Sequence, residues 1–263
     1  MSWFGPAGVP GSTVVVTGAA GGIGRAVVGL LTGAGARVAA LDRDEAGLAG
    51  LDAGPGTVLP LTVDVRDPAA VEDAFAELTA RLGEPDALIA AAGVLRPGGL
   101  LDITDDDWRE SFAVNATGLF ATVRAAARRM VPRRRGAIVA VTSNAAEVPR
   151  QRMAAYGPSK AAASMVVRNV GLEVAPHGVR CNVVAPGSTD TAMHRALWPE
   201  LPGDEVAARS VAGDPDGFRP GIPLGRIATP DDIADAAVFL ISDRARHITM
   251  QTIYVDGGAG LRG

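Results

Sequence analysis

The chain has 263 residues, 48% of them hydrophobic, which suffices for a sizeable core and fits one α/β domain. A formal net charge of -4 offers no electrostatic footprint for nucleic acid or an anionic membrane. One cysteine excludes an internal disulfide framework and a multi-cysteine metal site.

Met1-Ser2-Trp3-Phe4-Gly5-Pro6 has neither a basic n-region nor an apolar h-region, and no later apolar run reaches membrane-spanning length. A cytoplasmic protein is expected. Thr13-Val14-Val15-Val16-Thr17 is a β-branched run without alternation, the pattern of a strand buried on both faces of a parallel sheet. It enters Gly18-Ala19-Ala20-Gly21-Gly22-Ile23-Gly24-Arg25 and then helical sequence over 26–31. Strand, glycine turn and helix form the context of a dinucleotide fingerprint, because glycines admit the pyrophosphate and a helix N-terminus stabilises its charge. The spacing Gly-x-x-x-Gly-x-Gly is not specific by itself, and a glycine-rich turn without a ligand has the same appearance.

A second strand over 36–41 ends at Asp42, 18 residues beyond Gly24, where a carboxylate would accept from both adenosine ribose hydroxyls and repel a 2′-phosphate. NAD is therefore expected over NADP, although Arg43 follows directly. A third strand over 57–63 leads to Asp64-Val65, positioned for the adenine. Asp67 and Pro68 read as cap and first residue of an amphipathic helix to Leu82. Asp86-Ala87-Leu88-Ile89-Ala90-Ala91-Ala92-Gly93 is a buried strand whose small terminal residues suit either a cofactor or close helix packing.

Helical sequence then runs from Thr104 or Asp105 through Trp108, Phe112, Asn115, Leu119 and Val123. Asn115 falls among its apolar positions and needs hydrogen-bond partners there. Arg128, Arg129, Arg133, Arg134 and Arg135 read as a solvated helix end. A fifth strand, 137–141, delivers Thr142 and Ser143 to the carboxyl edge of the sheet, where open α/β folds bind ligands. In the next helix, 154–175, Tyr156 and Lys160 lie one turn apart and face the same way. A phenol acts as a base near neutrality only if a nearby cation stabilises its phenolate, and Lys160 is placed to do so. Alone, the spacing is also that of a helix start with a surface lysine. Strand 179–184 holds Cys181 as a buried residue. Residues 187–226 lose periodicity amid five prolines and read as a substrate lid. A helix over 231–240, capped by Thr229 with Pro230, and a strand over 251–255 close the chain.

Taken together, these motifs resemble the short-chain dehydrogenase/reductase family along essentially the whole chain. Gly18 to Gly24 is similar to its cofactor motif, and Ala90-Ala91-Ala92-Gly93 to its Asn-Asn-Ala-Gly motif with alanine at both Asn positions. The resemblance implies one doubly wound Rossmann domain, a central parallel sheet of about seven strands with helices on both faces. It implies a catalytic tetrad of Asn115, Ser143, Tyr156 and Lys160, with Tyr156 as base, Lys160 as its cation, Ser143 orienting the reacting hydroxyl and Asn115 anchoring a water. Cofactor contacts are implied for Gly18, Gly22, Ile23, Gly24, Asp42, Asp64, Val65, Ala90, Ala91 and Gly93. Pro186, Gly187, Thr189 and Thr191 are implied on the nicotinamide side, with Tyr156 and Lys160 at its ribose.

Several stretches, among them Val148-Pro149-Arg150 and Gly187-Ser188-Thr189-Asp190-Thr191, resemble the branch of the family that oxidises carboxylated dihydro rings to aryl acids. The substituent beside the reacting carbinol, hydroxyl or amine, stays open. A carboxylate requires a cation, and Arg150 and Arg96 are the candidates, with Arg152 third. Met193, His194, Leu197 and Trp198 are expected to form the lid's wall over the ring, with His194 on the lid surface rather than acting as a catalytic base. Family likeness implies a homotetramer with a small-molecule substrate and no metal. A cofactor-binding protein without catalysis is the alternative class.

Overall fold

In the computed structural model, residues 8–261 are described; the amino-terminal stretch 1–6 read above lies outside them. Seven parallel strands form one sheet: β1 (Thr13–Thr17), β2 (Arg37–Asp42), β3 (Thr57–Thr62), β4 (Ala87–Ala90), β5 (Gly136–Val141), β6 (Val179–Pro186) and β7 (Thr252–Val255). Their spatial order is β3-β2-β1-β4-β5-β6-β7. The chain reverses its direction of travel between β1 and β4, which opens a crevice at their carboxyl ends.

Because side chains alternate along a strand, each central strand serves two cores. Val15, Leu88 and Ile138 pack with Phe75, Leu78, Met130 and Val167 on one face. Val14, Val16, Ile89 and Val139 pack with Leu31, Ile233 and Leu240 on the other. Each such large side chain contributes about 1.5–3 kcal/mol on leaving water. The covering helices are α1 (Gly22–Gly33), α2 (Glu45–Ala49), α3 (Pro68–Leu82), α4 (Asp105–Phe112), α5 (Leu119–Arg133) and α6 (Tyr156–Val174). They continue with α7 (Ala192–Arg195), α8 (Gly203–Ala212) and α9 (Pro230–Ile241). Among the described residues, no helix is long and apolar enough to cross a membrane.

Three sequence expectations require correction, and one helix was not anticipated. The short α2, capped by Asp44, falls in a stretch without apolar periodicity. The continuous helix expected through Asn115 is broken by a π turn over Ala113–Gly118. Residues 187–226 are not patternless: Pro202 precedes α8, which buries Val206 and Ser210 one turn apart. The arginine cluster is not wholly solvated, since Arg129 bonds Glu72 at 3.1 Å and Arg133 bonds Asp86 at 2.6 Å. That last pair fastens the end of α5 to the entry of β4, and Asp86 also accepts from Thr13 N at the start of β1.

Candidate active site

The glycine turn after β1 is forced by contact. Gly18 has φ +68°, and a Cβ at Gly24 would lie 2.0 Å from the Gly18 carbonyl oxygen. Helix α1 therefore begins against the crevice. No side chain caps its N-terminus, whereas Asp67, Thr104 and Thr229 cap α3, α4 and α9. Its first amides remain free for an anion. A Cβ at Gly22 would meet Thr191 Cγ2 at 2.9 Å, so the cradle is closed on its far side by the residue that caps α7.

A cavity of about 320 Å³ runs over this turn from Asp42, Asp64 and Val65 to Gly93. A second, of about 290 Å³, continues past Ser143, Tyr156 and Lys160 to Arg150 and Trp198. Ile23, Ala91, Gly93, Thr191 and Met193 line both, so the two form one cleft along the carboxyl edge. This shape, with free amides at its middle and a carboxylate at one end, fits a dinucleotide. Asp42 Oδ2 accepts from Ala20 N at 3.0 Å and Oδ1 from Asp44 N at 3.0 Å, which fixes the carboxylate at the exit of β2. Asp64 lines the same cavity with both oxygens engaged by Arg66 Nε. Pro186, Gly187 and Thr189 line the second cavity.

At the centre of the cleft, β5 ends in buried Thr142 and Ser143, and α6 begins with buried Tyr156. Lys160 Nζ lies 5.8 Å from the Tyr156 ring centroid and donates to the Val141 carbonyl at 3.2 Å. Burial pushes the Lys160 ammonium down to about 8. Burial also pushes the Tyr156 phenol up, while the Ser143 hydroxyl works against that shift. A Cβ at Gly93 would lie 3.1 Å from Lys160 Nζ and 3.2 Å from Asn115 Oδ1, so glycine leaves room for both.

The π turn aims Asn115 across the helix interface. Its Nδ2 donates to the Val94 carbonyl at 2.9 Å and to Ser159 Oγ at 3.0 Å, and its Oδ1 accepts from Val94 N at 2.9 Å. Ser159 Oγ in turn donates to the Tyr156 carbonyl at 2.8 Å. Asn115 thus ties the exit of β4 to the first turn of α6.

Of the cations expected at the substrate end, Arg150 lines the second cavity, half-buried. Arg152 lines it from an exposed position. Arg96 does not line either cavity, because Glu110 holds its guanidinium at 2.7 Å. Ala90 also lines neither; it is the buried last residue of β4, and Ala91 is the first residue beyond it to reach the cleft. Met193, His194, Leu197 and Trp198 all line the second cavity. His194 is not a surface group: it is buried, its Nε2 lies 3.1 Å from Ser210 Oγ, and Trp198 packs edge-on against its ring at 5.8 Å. Arg219 also lines this cavity and escaped the sequence reading. The turn-forming Asp214-Pro215-Asp216-Gly217 before it was the available signal, but a turn motif does not reveal where the following side chain points.

A doubly wound sheet, an uncapped glycine turn and a buried Ser-Tyr-Lys cluster define a nicotinamide-dependent dehydrogenase, and the chain belongs to the short-chain dehydrogenase/reductase family. A family model described as enoyl-(acyl carrier protein) reductase matches residues 18–260. The 2,3-dihydro-2,3-dihydroxybenzoate dehydrogenase of Bacillus subtilis is 45% identical over 97% of this chain and 98% of its own length. That of Escherichia coli is 43% identical over 95% and 98%. The crystal structure of a short-chain type dehydrogenase/reductase from Mycobacterium marinum superposes with a TM-score of 0.85 at 29% identity, covering 95% of this chain and 96% of that one.

Proposed function

We propose that the protein oxidises 2,3-dihydro-2,3-dihydroxybenzoate to 2,3-dihydroxybenzoate with NAD, in the synthesis of a catechol siderophore or related aryl-acid product. The observation that carries this reading is Arg150. Its half-buried guanidinium, free of hydrogen-bond and salt-bridge partners among the described residues, lines the same cavity as Ser143, Tyr156 and Lys160. No salt bridge neutralises that guanidinium, and the charge of Asp256 alone opposes the effect of its burial, so it calls for an anionic substrate. The substrate named for the Bacillus subtilis and Escherichia coli relatives has a carboxylate and a ring carbinol.

When bound, the cofactor supplies the hydride acceptor. Free amides at the start of α1 would hold its pyrophosphate, and Asp42 the adenosine ribose hydroxyls, disfavouring a 2′-phosphate. Tyr156, as phenolate, takes the proton of the ring hydroxyl while hydride leaves the same carbon, and Ser143 orients that hydroxyl. Lys160 holds the phenolate's charge. The resulting ring ketone loses the neighbouring ring proton and becomes a catechol, so aromatisation drives the oxidation. Asn115 spends its side-chain amide on Val94 and Ser159, so anchoring a proton-route water falls to the main-chain carbonyls of its π turn. Residues 187–226, with Met193 and Trp198 on their inner side, serve as the lid.

A cytoplasmic homotetramer is the assembly we assign; exposed Phe120 on α5 and Met165 and Leu172 on α6 support packing through these helices. The test is oxidation of the dihydrodiol, followed by NADH absorbance, with NAD and NADP compared. Release of 2,3-dihydroxybenzoate with NAD preferred is expected. Faster turnover of trans-2,3-dihydro-3-hydroxyanthranilate would replace the substrate, and cofactor binding without oxidation of either would refute the activity.

A further inference from the structure

Arg150 is not the only cation without a salt-bridge partner at the substrate end of the cleft. Arg219 lines the same cavity, half-buried, and its Nη2 donates to Ser188 Oγ at 2.7 Å. No carboxylate among the described residues forms a salt bridge with either guanidinium. Contrast Arg96, whose charge Glu110 already answers at 2.7 Å. Arg219 is held down by burial and then by the positive charge of Arg150, while Asp214 opposes both. Two half-buried cations that line one cavity and repel each other, with Asp256 and Asp214 opposing them but forming no salt bridge to them, are stabilised by an anion between them.

The backbone around Arg219 is fixed. Asp214 N donates to the Arg219 carbonyl at 2.9 Å and Arg219 N to the Asp214 carbonyl at 2.8 Å, closing a turn over 214–219. Asp214 Oδ1 also accepts from Gly217 N at 3.2 Å. A Cβ at Gly213 would meet the Arg219 carbonyl oxygen at 2.6 Å, so the turn is seated tightly. Ser188, the other end of the tether, directly follows Gly187 of the cleft wall. Arg219 therefore reaches the cavity from residues 187–226, whereas Arg150 comes from the segment between Ser143 and Tyr156.

We propose that Arg219 is a specificity-determining residue, completing with Arg150 a two-sided guanidinium clamp for the substrate's ring carboxylate, and that Ser188 positions it. This rests on the carboxylated-ring reading above. A carboxylate has two oxygens and about four lone-pair directions, so it accepts from both guanidinium groups at once. Holding the carboxylate from two separate chain segments also fixes the ring's rotation, and with it which carbinol carbon faces Tyr156.

The test measures binding of 2,3-dihydroxybenzoate against catechol, which lacks only the carboxylate, and kcat and KM for the dihydrodiol. Wild-type protein, Arg219→Ala, Arg219→Lys and Ser188→Ala are compared, with thermal melting as a folding control. Losing a hydrogen-bonded charge partner is worth about 1.5–3 kcal/mol, so Arg219→Ala should cut the preference for the carboxylated ligand roughly 10- to 100-fold. The loss should fall mainly on KM, and Arg219→Lys should recover part of it. Ser188→Ala should show a smaller loss in the same direction. An Arg219→Ala protein that melts normally and keeps the wild-type preference overturns the clamp. If the wild type does not oxidise the dihydrodiol yet prefers the carboxylated ligand, and Arg219→Ala erases that preference, the clamp stands and the proposed substrate falls.

Discussion

Tyr156 and Lys160 are buried together, with Nζ 5.8 Å from the ring centroid, so the charge of either bears on the proton of the other. Burial raises the phenol and lowers the ammonium, the latter to about 8. Loss of the first proton leaves either phenol with amine or phenolate with ammonium, two arrangements of the same proton count. The second is the competent base, and the fully protonated pair is not. For oxidation, kcat/KM should thus rise as pH increases from about 7 to about 10, the interval below the ordinary phenol value, which a pH series at limiting dihydrodiol measures. A flat profile across that range would count against the pair as base. Tyr156→Phe should lower turnover by about 10²–10⁴-fold, the usual worth of a positioned base, while cofactor binding followed by fluorescence persists. At this scale the sequence was most legible where chemistry depends on helical spacing, as between Tyr156 and Lys160. It was least legible for Arg96 and Arg219. Both lie in irregular chain, and whether each guanidinium meets a carboxylate or a cavity depends on contacts from other elements.

Helix ends divide the elements by task. Thr229 Oγ1 accepts from Asp232 N at 3.3 Å while the Asp232 carboxylate accepts from Thr229 N at 2.7 Å, a reciprocal cap that starts α9 against α1. The first turns of α1 and α6 lack any side-chain cap, and both face the cleft. Side-chain caps thus secure α3, α4 and α9, while α1 and α6 leave bare N-termini at the cleft. Thr229→Ala should cost about 1 kcal/mol of stability, read from denaturant midpoints, with cofactor affinity unchanged. Equal loss of cofactor affinity would show that α9 does more than support. The Arg226 guanidinium and the Thr229 cap hold the Asp232 carboxyl below its ordinary range. A carboxyl lowered on folding stabilises above its unfolded pKa, and that contribution fades as acid titrates the folded group. The cap of α9 was readable from Thr229-Pro230, because Thr and Pro act locally. The π turn at Asn115 was not: apolar residues recur through Val114 and Leu119 as in an unbroken helix, and the wider turn is fixed by Val94 and Ser159, which are distant in sequence.

Across the whole molecule the doubly wound parallel sheet was legible in the alternation of buried β-branched runs with helical sequence, whereas the order of its strands was not read before the structure. Residues 187–226 resisted the same reading because their helices are short and are held by contacts with one another. His194 is central there, joined to Ser210 of α8 and packed by Trp198, whose other side meets Arg209 at 5.8 Å. Its Nδ1 is buried without a hydrogen-bond partner. Burial lowers its pKa first, then the charges of Arg219 and Arg195, with Asp190 opposing. A cation whose pKa falls on folding binds its proton less readily in the folded state. Stability is therefore fully present above the ordinary histidine value, about 6.5, and declines as pH drops through the folded value. Protonation would place a third positive charge beside Arg219 and Arg195 in a poorly hydrated pocket, so the loss should be confined to the segment carrying them. Amide exchange in α7 and α8, corrected for intrinsic rates, should accelerate between about pH 7 and pH 5.5 while α3 and α5 stay protected. In His194→Phe, which keeps an aromatic ring against Trp198, that acceleration should vanish. Persistence of the acid response in the substituted protein would move its origin from His194 to another group.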